Sequence, residues 1–359
     1  MIVNKEVIQS YILTTAKYEY SVYEKRILYK IVEMLQDMIK GKKLNQKYNL
    51  QKTLFNDWHV TMPISGFLKD EGDKNYAQAK AALKSLQAKL IEYEDERIWQ
   101  SISIISNPEI NKYGETVTFR LHERIVGALM DFSKGFSKYE LITAMRFEST
   151  YSMRFYELLS GQKKPITYSV LNLKIMFKIE NKYERVNDFF RKVIDVAKKE
   201  MDAKSPYSFD YKPIKKGRAI TSIMFYPIAK PENNDAELAE KKAKKQVSLY
   251  WDLDKITIQY LKENYLFTDT EIKNNLTVFK DAQNEIDFMY FLSENRIKAE
   301  KKGNPKGWII NAIKKQLGGK VQKTTPKTAP KPERKKEAVG ISSLIKDFQK
   351  LQQDPKNPD

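Results

Sequence analysis

Apolar residues spaced three and four apart recur along this chain, and twice such a run is followed by stretches in which apolar and polar residues alternate. Residues 5–39 read as one or two helices, with Ile27, Ile31, Met34 and Leu35 on one stripe. Lys40, Gly41, Lys42 and Lys43 supply a glycine stop and basic last-turn residues. A short strand is expected over 58–64. Residues 75–90 form the next helix, with Tyr76, Ala79, Leu83, Leu86 and Leu90 as its apolar face. That helix carries Lys74, Lys80, Lys84 and Lys89 and no acid, and its opposite face holds Ala77, Ala81, Ser85 and Ala88. Small residues there let the backbone approach another surface closely, either DNA or a neighbouring helix. Strands follow at 91–93, 99–105 and 115–121, with a turn at 111–114.

Helices at 121–132, 139–145 and 150–160 come next, punctuated by Gly135 and Gly161. A further apolar helix spans 170–177, and 179–185 is the turn after it. Over 188–201, Phe189, Phe190, Val193, Ala197 and Met201 share one side and Arg191, Lys192, Lys198 and Lys199 the other. Alternating runs at 207–211 and 219–226 then read as strands, joined by the basic segment 212–218 with Gly217 as the hairpin turn. A cationic helix beside a cationic β-wing is a winged-helix layout, in which the helix fits the major groove and the wing reaches phosphates. The helix-then-hairpin order occurs twice, about a hundred residues apart, which points to two such units in tandem.

The expected fold class is therefore α+β, with tandem winged-helix domains at 1–132 and 133–230. A charged linker at 231–248 leads to a small, mainly helical C-terminal region at 249–317. There Asn304 is placed to cap a helix that starts at Pro305. Residues 318–359 read as a disordered basic tail with a short amphipathic helix at 341–352, either a partner-binding motif or a marginal tail helix.

Composition narrows the function. Among 359 residues, 64 are Lys or Arg and 46 are Asp or Glu, so the formal charge of +18 favours a polyanion, with nucleic acid the first candidate. A hydrophobic share of 41% excludes a wholly disordered chain. The absence of cysteine excludes disulfides, thiolate metal sites and cysteine nucleophiles, and suits a reducing cytoplasm. No secretory signal and no membrane-length apolar run is seen. The only histidines, His59 and His122, lie far apart and cannot form a His-x-His metal cluster. Asp252 with Asp254, and Asp269 with Glu271, read as loop acids rather than metal ligands. No phosphate-binding loop or nucleophile elbow is present. The expectation is a DNA-binding protein that is not an enzyme and uses no cofactor or metal.

Four stretches carry a resemblance. The first is Ser21, Glu24, Arg26, Ile27 and Leu28; the second is Ala82, Leu83, Lys84, Ser85 and Leu86. The third joins Phe136, Ser137, Lys138, Tyr139, Glu140 and Leu141 to residues 152–159, and the fourth joins residues 187–191 to Lys215, Lys216, Gly217 and Arg218. In order and spacing these resemble the initiator Rep proteins of theta-replicating, iteron-type plasmids, over about residues 1–230. The resemblance implies binding to double-stranded DNA at the short direct repeats of an origin, each winged-helix domain entering successive major grooves on one face. It also implies self-association through the first domain, with a dimer repressing its own gene, and contacts with a host helicase, loader or initiator.

Carried over by position, Arg191 and Lys192 match the base-reading part of the second recognition helix, and Arg185 lies where phosphate meets its N-terminus. Lys198 and Lys199 would approach phosphates; Lys215, Lys216 and Arg218 are wing candidates; Lys80 and Lys84 are the equivalents in the first domain. Arg154 would bind phosphate or tie its helix to an acidic neighbour. Asp195 interrupts the basic face and would contact a cytosine amine or orient a lysine. Two other functions share these features: a winged-helix transcriptional regulator, and a replisome adaptor or helicase-loader-like protein that holds DNA without preference.

Overall fold

The first element is a strand, not a helix. In the computed structural model β1 (Glu6–Ser10) leads through one helical turn, α1 (Tyr11–Thr14), to the long helix α2 (Val22–Ile39). Residues 4–54, 57–68, 75–94, 98–113, 115–132, 135–240 and 253–318 are described. They fall into two compact units divided at residue 242. Strand β1 pairs antiparallel with residues 136–140, Glu6 opposite Glu140 and Ser10 opposite Phe136. Local periodicity does not report a partner that far along the chain, which is why the segment reads as helix.

Helix α2 begins with a reciprocal cap: the Ser21 hydroxyl accepts from the Glu24 N–H, and the Glu24 carboxylate accepts from the Ser21 N–H at 2.6 Å. It ends where Gly41 takes φ 66°, and the N–H groups of Gly41 and Lys42 return to the carbonyls of Met38 and Asp37. In between, Ile27, Leu28, Ile31, Val32, Met34 and Leu35 are buried, each contributing about 1.5–3 kcal/mol relative to exposure.

Around α2 stand β2 (Asn49–Lys52), β3 (Trp58–Pro63) and α3 (Tyr76–Ala88), followed by an isolated ribbon of β4 (Leu90–Glu94) and β5 (Trp99–Ser103). Strands β6 (Ser106–Asn111) and β7 (Thr116–Leu121) complete an antiparallel sheet in the order β2-β3-β7-β6. Helix α4 (Glu123–Met130) is capped by His122, whose Nδ1 accepts from the Arg124 N–H at 3.2 Å, so this histidine is a structural cap. Strand β8 (Phe136–Glu140) is the partner of β1 and takes the first residues of the helix expected at 139–145. Helix α5 (Leu141–Arg146) and helix α6 (Thr150–Leu159) follow, and α6 is buried on every side from Ser152 onward.

The second helix-and-hairpin set starts with a strand absent from the sequence reading, β9 (Ile166–Ser169), and α7 (Val170–Phe177). Helix α8 (Val186–Phe189) runs through a π-helical turn (Phe190–Ile194) into α9 (Asp195–Lys204). Strands β10 (Tyr207–Lys216) and β11 (Ala219–Ala229) form the hairpin, with β9 on the far edge of β11. Phe155 of α6 is the knob of this core, its ring 5.3–5.5 Å from those of Phe177, Phe209 and Phe225.

The second unit is helical, with helices Lys255–Tyr265, Asp269–Asn274, Leu276–Glu285, Phe288–Glu300 and Pro305–Gln316 around Ile256, Leu261, Phe279, Leu292, Ile309 and Ile313. Of the acids weighed as metal ligands, Asp254 caps a helix by accepting from the Ile256 N–H at 2.8 Å, Glu271 accepts from the Thr268 N–H and pairs with Lys306, Asp269 pairs with Lys262, and Asp252 lies outside the described residues. Asn304 accepts from the Gly307 N–H at 2.9 Å and Pro305 opens the helix, as the sequence predicts. The amphipathic segment 341–352 and the basic stretch before it lie outside the described residues.

Candidate nucleic-acid interface

The apolar stripe of the second recognition helix repeats every four residues: Phe189, Val193, Ala197 and Met201 are all buried. Three α-helical turns hold about 10.8 residues, so a four-residue repeat would drift off the core. One inserted residue brings three turns to about 11.8, close to the spacing from Phe189 to Met201. The π turn at Phe190–Ile194 supplies that residue, and Arg191 and Lys192 sit on it. The core thus fixes the outward face, on which Arg191, Lys192, Asp195, Val196 and Lys199 are exposed.

The cations on that face differ in freedom. Arg191 pairs with Asp188 at 2.7 Å while 72% of its side chain stays exposed. Such surface pairs contribute about 0–1 kcal/mol, so a bidentate acceptor displaces Asp188 readily. Lys192 lies over the Tyr183 ring at 5.7 Å, and Lys199 projects to solvent. Arg185 is exposed at the N-cap of α8, whose end makes no side-chain cap. Lys198 departs from the phosphate-facing expectation: it is half-buried between Asp202 at 3.0 Å and Asp210 at 3.1 Å. Burial pushes its ammonium down, but the two carboxylates outweigh that and hold it above its ordinary value. It is a strut from helix to wing.

The wing is longer than the alternating pattern implied. β10 continues through Lys212 and Pro213 to Lys216, and Gly217 turns the chain at φ 64°. A bulge between Ile214 and Lys215 shifts the register just before the tip. Lys215, Lys216 and Arg218 are all exposed there. Helix and wing are joined by Tyr211, whose hydroxyl donates to Asp195 at 2.7 Å and whose ring stacks on Phe190 at 5.4 Å. Burial first, then this bond, push the Tyr211 hydroxyl above its ordinary value, so it stays a donor at neutral pH.

In the first helix-and-hairpin set, Ala79, Leu83 and Leu86 of α3 are buried and Lys80 and Lys84 exposed, as the spacing predicts; Ala82 is buried with them, whereas Tyr76 is half-buried and Leu90, expected on that face, is exposed at the start of β4. Ala77, Ala81 and Ala88 are exposed as well, so no helix of the described unit covers the small-residue face. Lys89 turns inward to Glu24 and Ser85. Among the described residues no group of three or more His, Asp or Glu is arranged to hold a metal ion, and no helix is long and apolar enough to cross a membrane.

Comparison with known proteins matches both sets. Residues 6–160 match the family described as initiator replication protein, WH1, and residues 169–227 match that described as initiator Rep protein, WH2. The chain belongs to the initiator Rep family. A solved structure titled as the Pi initiator protein in complex with iteron DNA superposes with a TM-score of 0.50 at 17% identity, covering 63% of this chain and 97% of that one. At that identity the likeness is one of fold.

Within this Rep chain one expected DNA contact is internal. Arg154 is 1% exposed. Its guanidinium donates to the carbonyls of Thr14, Ala16 and Tyr18 before α2, and to Met176 of α7, all at 3.0–3.1 Å. It also lies over the rings of Tyr20 and Phe177. Arg154 therefore ties the WH1 and WH2 parts through backbone carbonyls. One turn on, the fully buried Glu157 accepts from Tyr29 at 2.6 Å and pairs with Lys25 at 2.5 Å. Burial pushes the Lys25 ammonium down, against the pull of Glu157. A cavity of about 160 Å³ beside Arg154 is lined by Tyr18, Tyr20, Tyr151 and Phe177.

Sequence reasoning missed the Asp195–Tyr211–Phe190 tie, the bulge and the π turn. The four-residue repeat of the apolar stripe was a signal for the π turn. Nothing local marks the other two.

Proposed function

We propose that this chain initiates replication of a plasmid by binding the direct repeats of its origin through both winged-helix sets. The observation that carries this is the coincidence of the WH2 match with an exposed cationic recognition helix and a cationic, bulged wing. The relative of similar fold is titled as an initiator bound to iteron DNA, which supports the same ligand here. In this reading Arg191 and Lys192 read bases, Arg185 and Lys199 meet phosphates beside the groove, and Lys215, Lys216 and Arg218 reach the backbone from the wing. Lys80 and Lys84 serve the first set. No catalytic step is assigned: the chain acts by binding DNA, in the bacterial cytoplasm where plasmid DNA resides. Self-association through the WH1 part, repression of its own gene and contacts with host replication proteins are parts of the same proposal.

Fluorescence anisotropy with duplexes tiled across the DNA flanking the gene, against random duplex and over a salt series, tests this. Strong preference for a repeated element is expected. Salt-sensitive binding without preference would transfer the chain to an adaptor role. Preference for a lone operator would make it a regulator.

A further inference from the structure

Asp195 stands mid-way along the exposed row of the recognition helix, between Arg191 and Lys192 on one turn and Lys199 on the next. A carboxylate there opposes phosphate binding, because it offsets a cation that would otherwise neutralise the DNA backbone. Its orientation is nonetheless fixed. Oδ1 accepts from Tyr211, and Tyr211 is itself held by stacking on Phe190 with the two rings inclined by 24°. The Tyr211 hydroxyl has one proton to give, and it is spent on Oδ1. Asp195 is exposed, so Oδ2 keeps its acceptor capacity for a ligand. Beside it, Val196 is 40% exposed, a large apolar side chain set between charged neighbours.

We propose that Asp195 and Val196 read two adjacent bases: Asp195 accepts from the N4 amino group of a cytosine, and Val196 packs on the methyl of a neighbouring thymine. This rests on the reading of this helix as the one that enters the major groove. Groove edges there are mostly acceptors, and an ionised carboxylate can only accept. Guanine and thymine present N7, O6 or O4 and repel it. Adenine presents its amino group beside N7, so a carboxylate that reaches the proton also meets a lone pair. Cytosine presents the amino group alone. The thymine methyl is the apolar feature of the groove, which is what an exposed valine fits. Tyr211 is a positioning residue: holding the carboxylate in place beforehand reduces the ordering cost when DNA binds.

Selection of bound sequences from a random-duplex pool with the full chain, Asp195→Asn and Tyr211→Phe tests the assignment. The native chain should enrich one position as cytosine next to thymine, with about 5-fold to 150-fold discrimination against the other bases. Asparagine keeps an acceptor for Tyr211 but adds an amide matched to adenine N6 and N7, so Asp195→Asn should move that position from cytosine to adenine and leave the rest unchanged. Tyr211→Phe should keep cytosine with weaker discrimination; undiminished discrimination would overturn the positioning role. An Asp195→Asn chain that enriches the native sequence overturns the base assignment and leaves the DNA-binding reading standing. A native chain that enriches nothing overturns both.

Discussion

The two helix-and-hairpin sets of residues 4–240 share an order of elements and differ in what they present. The second offers a recognition helix with hydrogen-bonding side chains of both signs, Arg191, Lys192, Asp195 and Lys199, and a wing whose tip is cationic. The first offers a helix with two exposed lysines among exposed alanines. Its β4–β5 ribbon is acidic by sequence, with Glu92 and Glu94 on β4 and Asp95 and Glu96 next along the chain. The lesson is a division of labour on one plan. On the proposed reading, the second set distinguishes bases, whereas the first would bring its backbone close with little side-chain chemistry. Both hang on α6, whose Phe155 plugs the second core and whose Arg154 grips the carbonyls before α2.

The largest effect should come from breaking what the sets share. Arg154→Ala would leave buried carbonyls unpaired and should cost on the order of 4 kcal/mol in denaturant unfolding. Arg154→Lys, which cannot serve four acceptors in one plane, should recover little. A loss under about 1 kcal/mol would remove the clamp from the account. Next in size is Arg191→Ala, expected to lose about 1–3 kcal/mol of discrimination while affinity for random duplex hardly changes. Equal loss on both would sink the base-reading role.

Charge sharpens the comparison further. Lys215→Ala with Lys216→Ala should weaken binding to every sequence and flatten the log–log salt slope by up to about 0.9 per lost phosphate contact. An unchanged slope would take the wing off the DNA. Enlarging the small face of α3 with Ala81→Leu should lower affinity for the specific site at unchanged unfolding free energy, since both residues favour helix. Unchanged binding would mean α3 keeps its distance from the groove.

The smallest effect concerns pH. Burial pushes the Asp202 carboxyl up, but hydrogen bonds from Ser208 and Lys198 outweigh it and hold the group below its ordinary value. The folded state thus binds its proton less readily than the unfolded chain does. Its contribution is fully present above about pH 4 and lost as pH falls through the depressed value. Asp202→Asn should flatten the acid limb of a stability–pH curve slightly, and an identical limb would contradict the tie.

Where local chemistry determines an element, the sequence reveals it. Ser21 with Glu24, Gly41, the face of α3 and Gly217 mark their elements at short range, as do Asn304 and Pro305 in the helical unit. Elements settled by distant partners are hidden: β1 depends on a strand near residue 138, and β9 on the back of the wing. The site follows the same division. Exposed cations such as Lys84, Lys192 and Lys215 follow from periodicity, because a helix or hairpin with one apolar side must turn the other outward. Arg154 and Lys198 look the same in sequence, yet one is enclosed by backbone carbonyls and the other by Asp202 and Asp210. Asp202 lies one helical turn from Lys198 and was within reach by spacing, but only the fold brings Asp210 and the carbonyls there.

The central claim is that both sets engage one face of the same DNA repeat. Hydroxyl-radical footprinting of the full chain on its preferred duplex measures this directly. The account predicts two protected patches on one face, about one helical turn or 10 base pairs apart, with the patch under the second set lost selectively in the Lys215→Ala, Lys216→Ala chain. A single patch, or protection spread evenly around the duplex, would contradict it.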